Sequence, residues 1–100
     1  MLALDISVDK LRDMVRISTN AIDDELITLS EAFLLDLSRA GVEAIPDEDT
    51  ALVEACLRMY LRWQENYNGE ADRYMQCYES LRNGLALAGE YQKGGEPNGT

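Results

Sequence analysis

The stretch LVEACLRMYLRWQENY, from Leu52 to Tyr67, decides the fold of this chain. It contains the single Trp of the sequence, two of the five Tyr and one of the two Cys. On a helical wheel, at about 100° per residue, its apolar side chains cover roughly half of the circumference. These side chains are Leu52, Val53, Cys56, Leu57, Met59, Tyr60, Leu61, Trp63 and Tyr67. A helix with so wide an apolar face must pack against neighbours on two sides, so the stretch is predicted to be the central helix of a small all-α domain.

Two helices are predicted on the N-terminal side of this central helix. The first lies within residues 4–17, extends for about three turns and begins after Ser7, whose hydroxyl can cap a helix N-terminus. The second is predicted for residues 21–40, with capping candidates at 18–20 and Gly41 as its C-terminal stop. Each helix carries apolar residues at helical spacing on one face, as a neighbour of the central helix requires.

The connection that precedes the central helix is acidic. It runs from Val42 to Asp49, and Pro46 disfavours helix at the residue before it. The run 47–50, Asp-Glu-Asp-Thr, is predicted to cap the central helix, because carboxylates are favoured at a helix N-terminus. The run lacks the spacing of an EF-hand loop, so a metal site is not expected there.

A fourth helix is predicted after the turn signal Asn68-Gly69, beginning near Glu70. Asn83-Gly84 interrupts its pattern, because glycine inside a helix costs about 1 kcal/mol relative to alanine. The sequence leaves open whether the helix continues past this point or ends there. If it ends, the segment Leu85–Tyr91 forms an arm whose apolar residues dock on another surface. The remaining residues, 92–100, are rich in Gly and Pro and are predicted to be a disordered tail.

Length and charge restrict the class of protein. One hundred residues accommodate one domain, which is expected to cover residues 1–91. No apolar run reaches the roughly 20 residues of a membrane span, and Met1–Asp5 does not resemble a signal peptide, so a cytoplasmic protein is expected. The net charge of −10 argues against binding driven by phosphate neutralisation and against an anionic membrane surface. Such an acidic surface either keeps the protein soluble or repels a polyanion that must pass without adhering.

The residue types needed for common catalytic and metal sites are missing. The chain has no His, which excludes the usual Ser and Cys triads and argues against a zinc site. Cys56 and Cys77 stand among apolar residues at helical spacing and are predicted to be small core residues. No phosphate-binding glycine loop is present. Neither enzymatic activity nor a cofactor is therefore expected.

Aromatic residues and two arginines near the third helix permit two interpretations each. The rings can pack across the hairpin of the third and fourth helices, or some of them can lie at an interface with a partner. These rings are Tyr60, Trp63, Tyr67, Tyr74 and Tyr78. Arg58 and Arg62 occupy the polar strip of the central helix, either as solvated partners of residues such as Glu54 or as intersubunit ion pairs.

Three phrases of the sequence together resemble the phage gp6-like head–tail connector family. They are KLRDMVRISTNAIDDELITLSEAFLLDLSRAGV at 10–42, DTALVEACLRMYLRW at 49–63 and GEADRYMQCYESLRNGLALAGEY at 69–91. Their order and spacing carry the resemblance, which covers roughly residues 4–91. The chain departs from many relatives in RWQENYNGEA, between the third and fourth helices, where those relatives have a Lys- or Phe-containing phrase. The resemblance therefore transfers regions and no defined binding residues.

The resemblance implies a structural subunit of a tailed phage or prophage, without catalysis. Its copies form a ring beneath the portal protein, extend the DNA channel and offer a platform for a stopper or tail-completion protein. DNA passes through such a ring without sequence-specific binding, and no membrane is involved. The implied location is the head–tail junction of the virion, after assembly in the bacterial cytoplasm.

Partner contacts are expected on the polar side of the second helix, on the arginine strip and on the segment after Gly84. The candidate interface residues are Leu35, Arg58, Arg62, Leu85, Leu87 and Tyr91. A second hypothesis from another class is a small helical regulatory or adaptor module that acts as a dimer on one protein partner. An enzyme is the third and least favoured hypothesis.

Overall fold

The computed structural model describes residues 2–46 and 50–92, and this part of the chain is built from helices without any strand. The α-helices are α1 (Val8–Met14), α2 (Asp23–Ala40), α3 (Ala51–Gln64) and α4 (Ala71–Leu87). Two short 3₁₀ helices follow α3 and α4, at Tyr67–Gly69 and Gly89–Tyr91. The predicted all-α architecture of about four helices is confirmed.

Helix α3 is the centre of the core, as its wide apolar face predicts. It packs most extensively against α4 and also contacts α1 and α2. Its buried residues are Val53, Cys56, Leu57, Tyr60 and Leu61. Full burial of one such aliphatic side chain contributes about 1.5–3 kcal/mol, so this one helix supplies a large share of the stabilisation.

The first helix has the predicted start but is shorter than predicted. The backbone N–H of Lys10 donates to the hydroxyl of Ser7 at 3.3 Å, which confirms Ser7 as the N-cap. The helix ends at Met14, after about two turns, because the backbone of Arg16 adopts a left-handed conformation with a φ of 56°. A left-handed residue reverses the chain direction, which a right-handed helix cannot accommodate.

The second helix begins two residues later than predicted and ends where predicted. Residue Ile22 precedes its first turn and provides no side-chain cap, so the prediction that residues 18–20 cap this helix is wrong. Asp23, at the helix start, instead binds Arg12 of α1. At the other end Gly41 has a φ of 107°, and the N–H groups of Gly41 and Val42 donate to the carbonyls of Ser38 and Leu37. This pattern is a Schellman motif, which requires a residue that tolerates positive φ.

The hairpin between α3 and α4 turns earlier than the sequence predicts. Helix α3 ends at Gln64, three residues before the predicted end at Tyr67. Asn66 and Asn68 both have left-handed backbone angles, with φ of 49° and 55°, which Asn tolerates better than most residues. The side-chain oxygen of Asn66 then accepts the N–H of Ala71 at 3.2 Å, which caps the start of α4.

Helix α4 continues through Gly84 to Leu87, which settles the alternative that the sequence left open. The chain becomes extended at Ala88, and the 3₁₀ turn that follows returns Tyr91 to the core, where its side chain is 2% exposed. The predicted capping acids 47–49 and residues 93–100 of the predicted tail lie outside the described residues.

Aromatic rings pack across the α3–α4 hairpin, as the first of the two interpretations predicts. The ring centroids of Tyr60 and Tyr78 lie 5.1 Å apart, and Trp63 lies 5.8 Å from Tyr78. Tyr67 meets Tyr74 edge to face at 5.9 Å. Such pairs contribute about 0.5–1.5 kcal/mol each beyond the area that they bury.

The two cysteines have different environments. Cys56 is fully buried, as predicted, and burial raises the pKa of its thiol to about 12. Cys77 is exposed, so the prediction of a second core cysteine is wrong. It precedes the buried Tyr78 by one residue and is rotated by about 100° from the apolar face of α4.

Candidate functional site

An apolar groove opens between the N-terminal segment and α2. Residues 2–8 form one wall and the outer face of α2 forms the other, around a volume of about 600 Å³. The lining residues are Leu2, Ala3, Leu4, Ile6, Val8, Leu11, Ile27, Ser30, Glu31, Leu34, Leu35 and Ser38. One of these residues, Glu31, carries a charge. The groove has the size and the chemistry to receive aliphatic side chains from a partner helix.

Two exposed aliphatic side chains of α2 line this groove. Leu35 is 53% exposed and Ile27 is 42% exposed, and both rank among the large exposed apolar residues of the described chain. They are eight residues apart, which places them on the same face of the helix, two turns from each other. The predicted exposure of Leu35 is therefore confirmed. An exposed apolar patch of this kind marks a surface for protein association more often than an isolated exposed Leu does.

A second groove has the opposite chemistry. It lies between α3 and the connection from α1 to α2, and it encloses about 750 Å³. Its lining residues are Asp13, Arg16, Ile17, Ser18, Arg58, Met59 and Arg62. Three arginines and one carboxylate give this groove a net positive charge in a chain whose own net charge is −10. We call it the arginine groove.

The three arginines of the arginine groove differ in their contacts within the described part of the chain. Arg62 donates from Nε to the carbonyl of Met14 at 2.8 Å, and its guanidinium lies 4.6 Å from the ring centroid of Tyr67. Neither interpretation of Arg62 from the sequence included this contact with α1. Arg16 and Arg58 form no ion pair with any residue of the ranges 2–46 and 50–92.

The suggested pair between Glu54 and Arg58 is replaced by another. Lys10 of α1 lies 2.8 Å from Glu54, and the hydroxyl of Thr50 donates to the same carboxylate at 2.9 Å. These two hydrogen bonds, Lys10 first, lower the pKa of Glu54, and Arg58 adds a weaker attraction at longer range. Arg58 is therefore not the ion-pair partner of Glu54.

The segment after Gly84, expected to dock on a partner, docks instead on its own chain. The carbonyl of Tyr91 accepts the N–H groups of Glu43 and Ala44 at 2.8 and 3.1 Å. The amide of Gln92 donates to the carbonyls of Gly41 and Ala86, at 3.0 and 2.6 Å. These bonds tie the C-terminal segment to the end of α2, so the arm that the sequence left open as one alternative is not formed.

The candidate interface residues are thus divided between surface and core. Leu85 and Tyr91 are buried in the core of the chain itself, which removes their side chains from any surface contact. Leu87 is 87% exposed and lies apart from both grooves. Leu35 lines the apolar groove, and Arg58 and Arg62 line the arginine groove. Their role at an interface stays a prediction.

A network of polar groups connects α4 to α2. Tyr78 donates from its hydroxyl to Asp36 at 2.5 Å, and Arg82 donates to the same carboxylate oxygen at 3.1 Å. Burial and then the contact with Asp36 raise the pKa of the Tyr78 hydroxyl, which keeps the group protonated. The network satisfies a carboxylate at the helix interface and therefore has the character of a structural tie.

Two carboxyl groups meet where α2 begins and α3 ends. Burial first, and then the hydrogen bond and charge of Glu25, raise the pKa of Glu65 to about 7. A carboxyl that shares a proton with a second carboxyl is a common arrangement in acid–base sites. In the described residues, however, no group of three or more His, Cys, Asp or Glu side chains is placed to hold a metal ion.

Sequence reasoning missed the two features that depend on distant residues. Arg16 lies in a loop and carries no periodic signal, so nothing in the sequence places it opposite Arg58. The approach of Glu25 to Glu65 likewise joins residues 40 positions apart, on helices whose relative rotation the sequence does not specify. The exposed Leu35 was visible because it interrupts the polar side of an otherwise regular helix.

Of the helices in residues 2–46 and 50–92, none combines the length and the hydrophobicity of a membrane-spanning segment. Comparison with protein families, with curated proteins and with solved structures finds no match to this chain.

Proposed function

We propose that this protein is a structural subunit of a phage or prophage head–tail connector. Its copies assemble as a ring beneath the portal protein, extend the DNA channel and join the head to the tail through a stopper or tail-completion protein. The resemblance of three phrases, at 10–42, 49–63 and 69–91, supports the proposal, and an all-α fold is compatible with it.

The observation that carries the proposal is the apolar groove on α2. A structural subunit works by burying surface against its neighbours, and this requires apolar side chains that the isolated chain leaves in water. Ile27 and Leu35 satisfy this requirement on one helix face, next to the apolar segment that precedes α1. The groove is the surface on which a connector subunit would receive the portal protein or a neighbouring subunit.

The charge of the chain agrees with a role around a DNA channel. Nineteen acidic and nine basic residues give a surface that repels a polyanion over most of its extent. Duplex DNA that moves through an acidic ring forms few phosphate contacts and is not retained. The proposed ring therefore guides DNA by shape and repulsion.

Co-purification with the portal protein of the same phage tests the proposal. The full chain is expected to co-sediment with assembled portal, and electron microscopy is expected to show a ring on its tail-facing end. Leu35→Glu places a charge in the apolar groove and is expected to weaken this association by about a hundredfold, the cost of burying an unpaired charge at an interface.

Leu52→Glu is the matched control for this variant. Leu52 is 54% exposed, so the change has the same chemistry and a similar exposure, but Leu52 does not line the groove. Equal binding of the two variants would show that the groove is not the contact surface. A chain that remains monomeric and ignores the portal at high concentration would contradict the connector function itself. A stable dimer on a single partner would instead favour the regulatory or adaptor module.

A further inference from the structure

Within residues 2–46 and 50–92, most of the basic side chains that form no ion pair lie in one place. The described residues contain eight Lys and Arg side chains, and four of these, Lys10, Arg12, Arg73 and Arg82, form ion pairs within the chain. The remaining four are Arg16, Arg39, Arg58 and Arg62, and three of them line the arginine groove. In a chain with 19 acidic residues, three arginines that converge beside a single carboxylate, Asp13, and form no ion pair within residues 2–46 and 50–92 favour an acidic partner from outside.

The backbone contributes to this convergence. Arg16 has a φ of 56°, a left-handed conformation that costs energy for any residue with a side chain. Arg62 is fixed by the carbonyl of Met14 and by the ring of Tyr67. Arg62 is thus held rigidly, and Arg16 lies on a strained turn on the other side of the groove. Strain of this kind is typical of sites that bind.

The chemistry of the groove fits carboxylates on a protein surface. Guanidinium groups bind carboxylates through paired, charge-assisted hydrogen bonds, and arginine is favoured over lysine at such contacts. Ile17 and Met59 provide apolar surface beside the charges, as a protein partner requires. A long polyanion such as DNA fits less well, because three arginines next to Asp13 neutralise few phosphates and the rest of the chain repels it.

We infer that the arginine groove binds the acidic surface of a second copy of this chain, at the first turn of α2. Asp23, Asp24 and Glu25 form the one run of three consecutive acidic residues within the ranges 2–46 and 50–92. Asp23 is held by Arg12 of its own chain and the carboxyl of Glu25 contacts Glu65, whereas Asp24 is exposed. Charge complementarity between this run and the groove makes a second copy the partner.

A contact between two different surfaces of the same chain is heterologous. It propagates from copy to copy and closes into a ring when the rotation per copy permits. The inference therefore rests on the proposed function, since the second copy is the neighbouring connector subunit. The inference adds two points to that function: which residues form the contact between copies, and that the strength of this contact depends on salt.

Sedimentation velocity of the full chain tests the inference. Self-association is expected to weaken when the salt concentration rises from about 50 mM to about 500 mM, because salt screens exposed charge pairs. Arg58→Glu is expected to raise the dissociation constant between copies by about tenfold or more. Arg39→Glu is the matched control, because Arg39 is also unpaired in the described chain but lies outside the groove. The control is expected to leave self-association unchanged.

A charge exchange makes the test specific for the two surfaces. Asp24→Arg alone is expected to weaken self-association as Arg58→Glu does. Each single variant alone is expected to associate weakly, whereas an equimolar mixture of the two and the double variant are both expected to regain affinity. In the mixture every contact between the two variants is either the native or the charge-exchanged one, and in the double variant every contact is charge-exchanged. Circular dichroism of each variant confirms that it is folded. Arg62 is left unchanged, because its contact with Met14 also stabilises the monomer.

Three results would overturn the inference. The first is a chain that stays monomeric in low salt at about 1 mM, where even a contact with a millimolar dissociation constant is substantially formed. The second is an equal effect of Arg58→Glu and Arg39→Glu. The third is a duplex DNA probe that binds through Arg58 while self-association does not respond to the variant. Portal binding measured on Arg58→Glu separates the two proposals. If the variant still binds the portal and its self-association equals that of the parent, the inference about the arginine groove fails and the proposed connector function stands.

Discussion

The α3–α4 hairpin and the N-terminal half, residues 2–41, differ in how completely their apolar side chains are packed within the chain itself. In the hairpin, aromatic rings pack on one another, and Cys56 and Leu57 are fully buried. In the N-terminal half, α2 buries one face but leaves Ile27 and Leu35 on an open groove, and the turn before α2 is strained at Arg16. The comparison indicates that the hairpin supplies stability, whereas the surfaces available to partners involve the N-terminal half.

The largest effect on the free energy of unfolding is expected from a substitution in the core of the hairpin. Leu57→Ala removes a fully buried side chain from α3 and is expected to reduce the free energy of unfolding by about 2–5 kcal/mol. Urea unfolding followed by circular dichroism measures this change. Leu52→Ala, in the same helix but 54% exposed, is expected to cost less than about 0.5 kcal/mol. Similar losses for both variants would show that the hairpin is not the stable part of the molecule.

An intermediate effect is expected where the hairpin is tied to α2. Tyr78→Phe deletes the hydroxyl that donates to Asp36 and is expected to cost about 1.5–3 kcal/mol, the range for hydrogen bonds to a charged group. Thermal and urea unfolding measure the loss. Tyr67→Phe keeps the ring contact with Tyr74 and serves as the control, with an expected change below about 0.5 kcal/mol. If the two variants are equally stable, the network between α4 and α2 is not a structural tie.

The smallest effect on stability is expected at Glu65, whose contact with Glu25 joins the two regions, and this effect depends on pH. The folded protein raises the pKa of Glu65 to about 7, above its ordinary value of 4.5, so the folded state binds the proton more tightly than the unfolded state. The resulting stabilisation is fully present below about pH 4.5 and is lost as pH rises through about 7.

Glu65→Gln removes this dependence, because the amide stays neutral at every pH in the range. At pH 8 the variant is expected to be more stable than the parent by about 1 kcal/mol, after allowance for partial solvent screening. At pH 4.5 the advantage is expected to vanish. Urea midpoints measured across this range give the comparison, and Glu79→Gln, at an exposed position of α4, is the control. A parent whose stability rises between pH 5 and pH 8 relative to Glu65→Gln would contradict the contact.

The fold was largely predictable from local patterns, and each error in the prediction has an identifiable structural cause. The cap at Ser7 and the stop at Gly41 are properties of single residues, and both predictions are confirmed. Residues 18–20 do not cap α2 because the helix begins only at Asp23, whose side chain has a tertiary partner in Arg12. Cys77 was assigned to the core because a wide apolar arc on a wheel does not show where its edge meets solvent.

The candidate surfaces were predictable only in part. Leu35 was identified because an apolar residue on a polar face is a local anomaly. The arginine groove was not, because it joins a loop residue, Arg16, to a helix residue, Arg58, across 42 positions of chain. The burial of Tyr91 was missed for the same reason, since its backbone bonds to Glu43 and Ala44 depend on the position of the end of α2.

The sequence by itself determined the all-α class, the central position of α3 and the acidic surface. These properties follow from periodicity and composition, which act through hydrophobic burial and net charge without reference to any particular contact. The tertiary structure decided which arginines are paired, which cysteine is buried and where the C-terminal segment docks. Those outcomes depend on how the helices rotate about their axes, and the rotation is set by side-chain packing over the whole core.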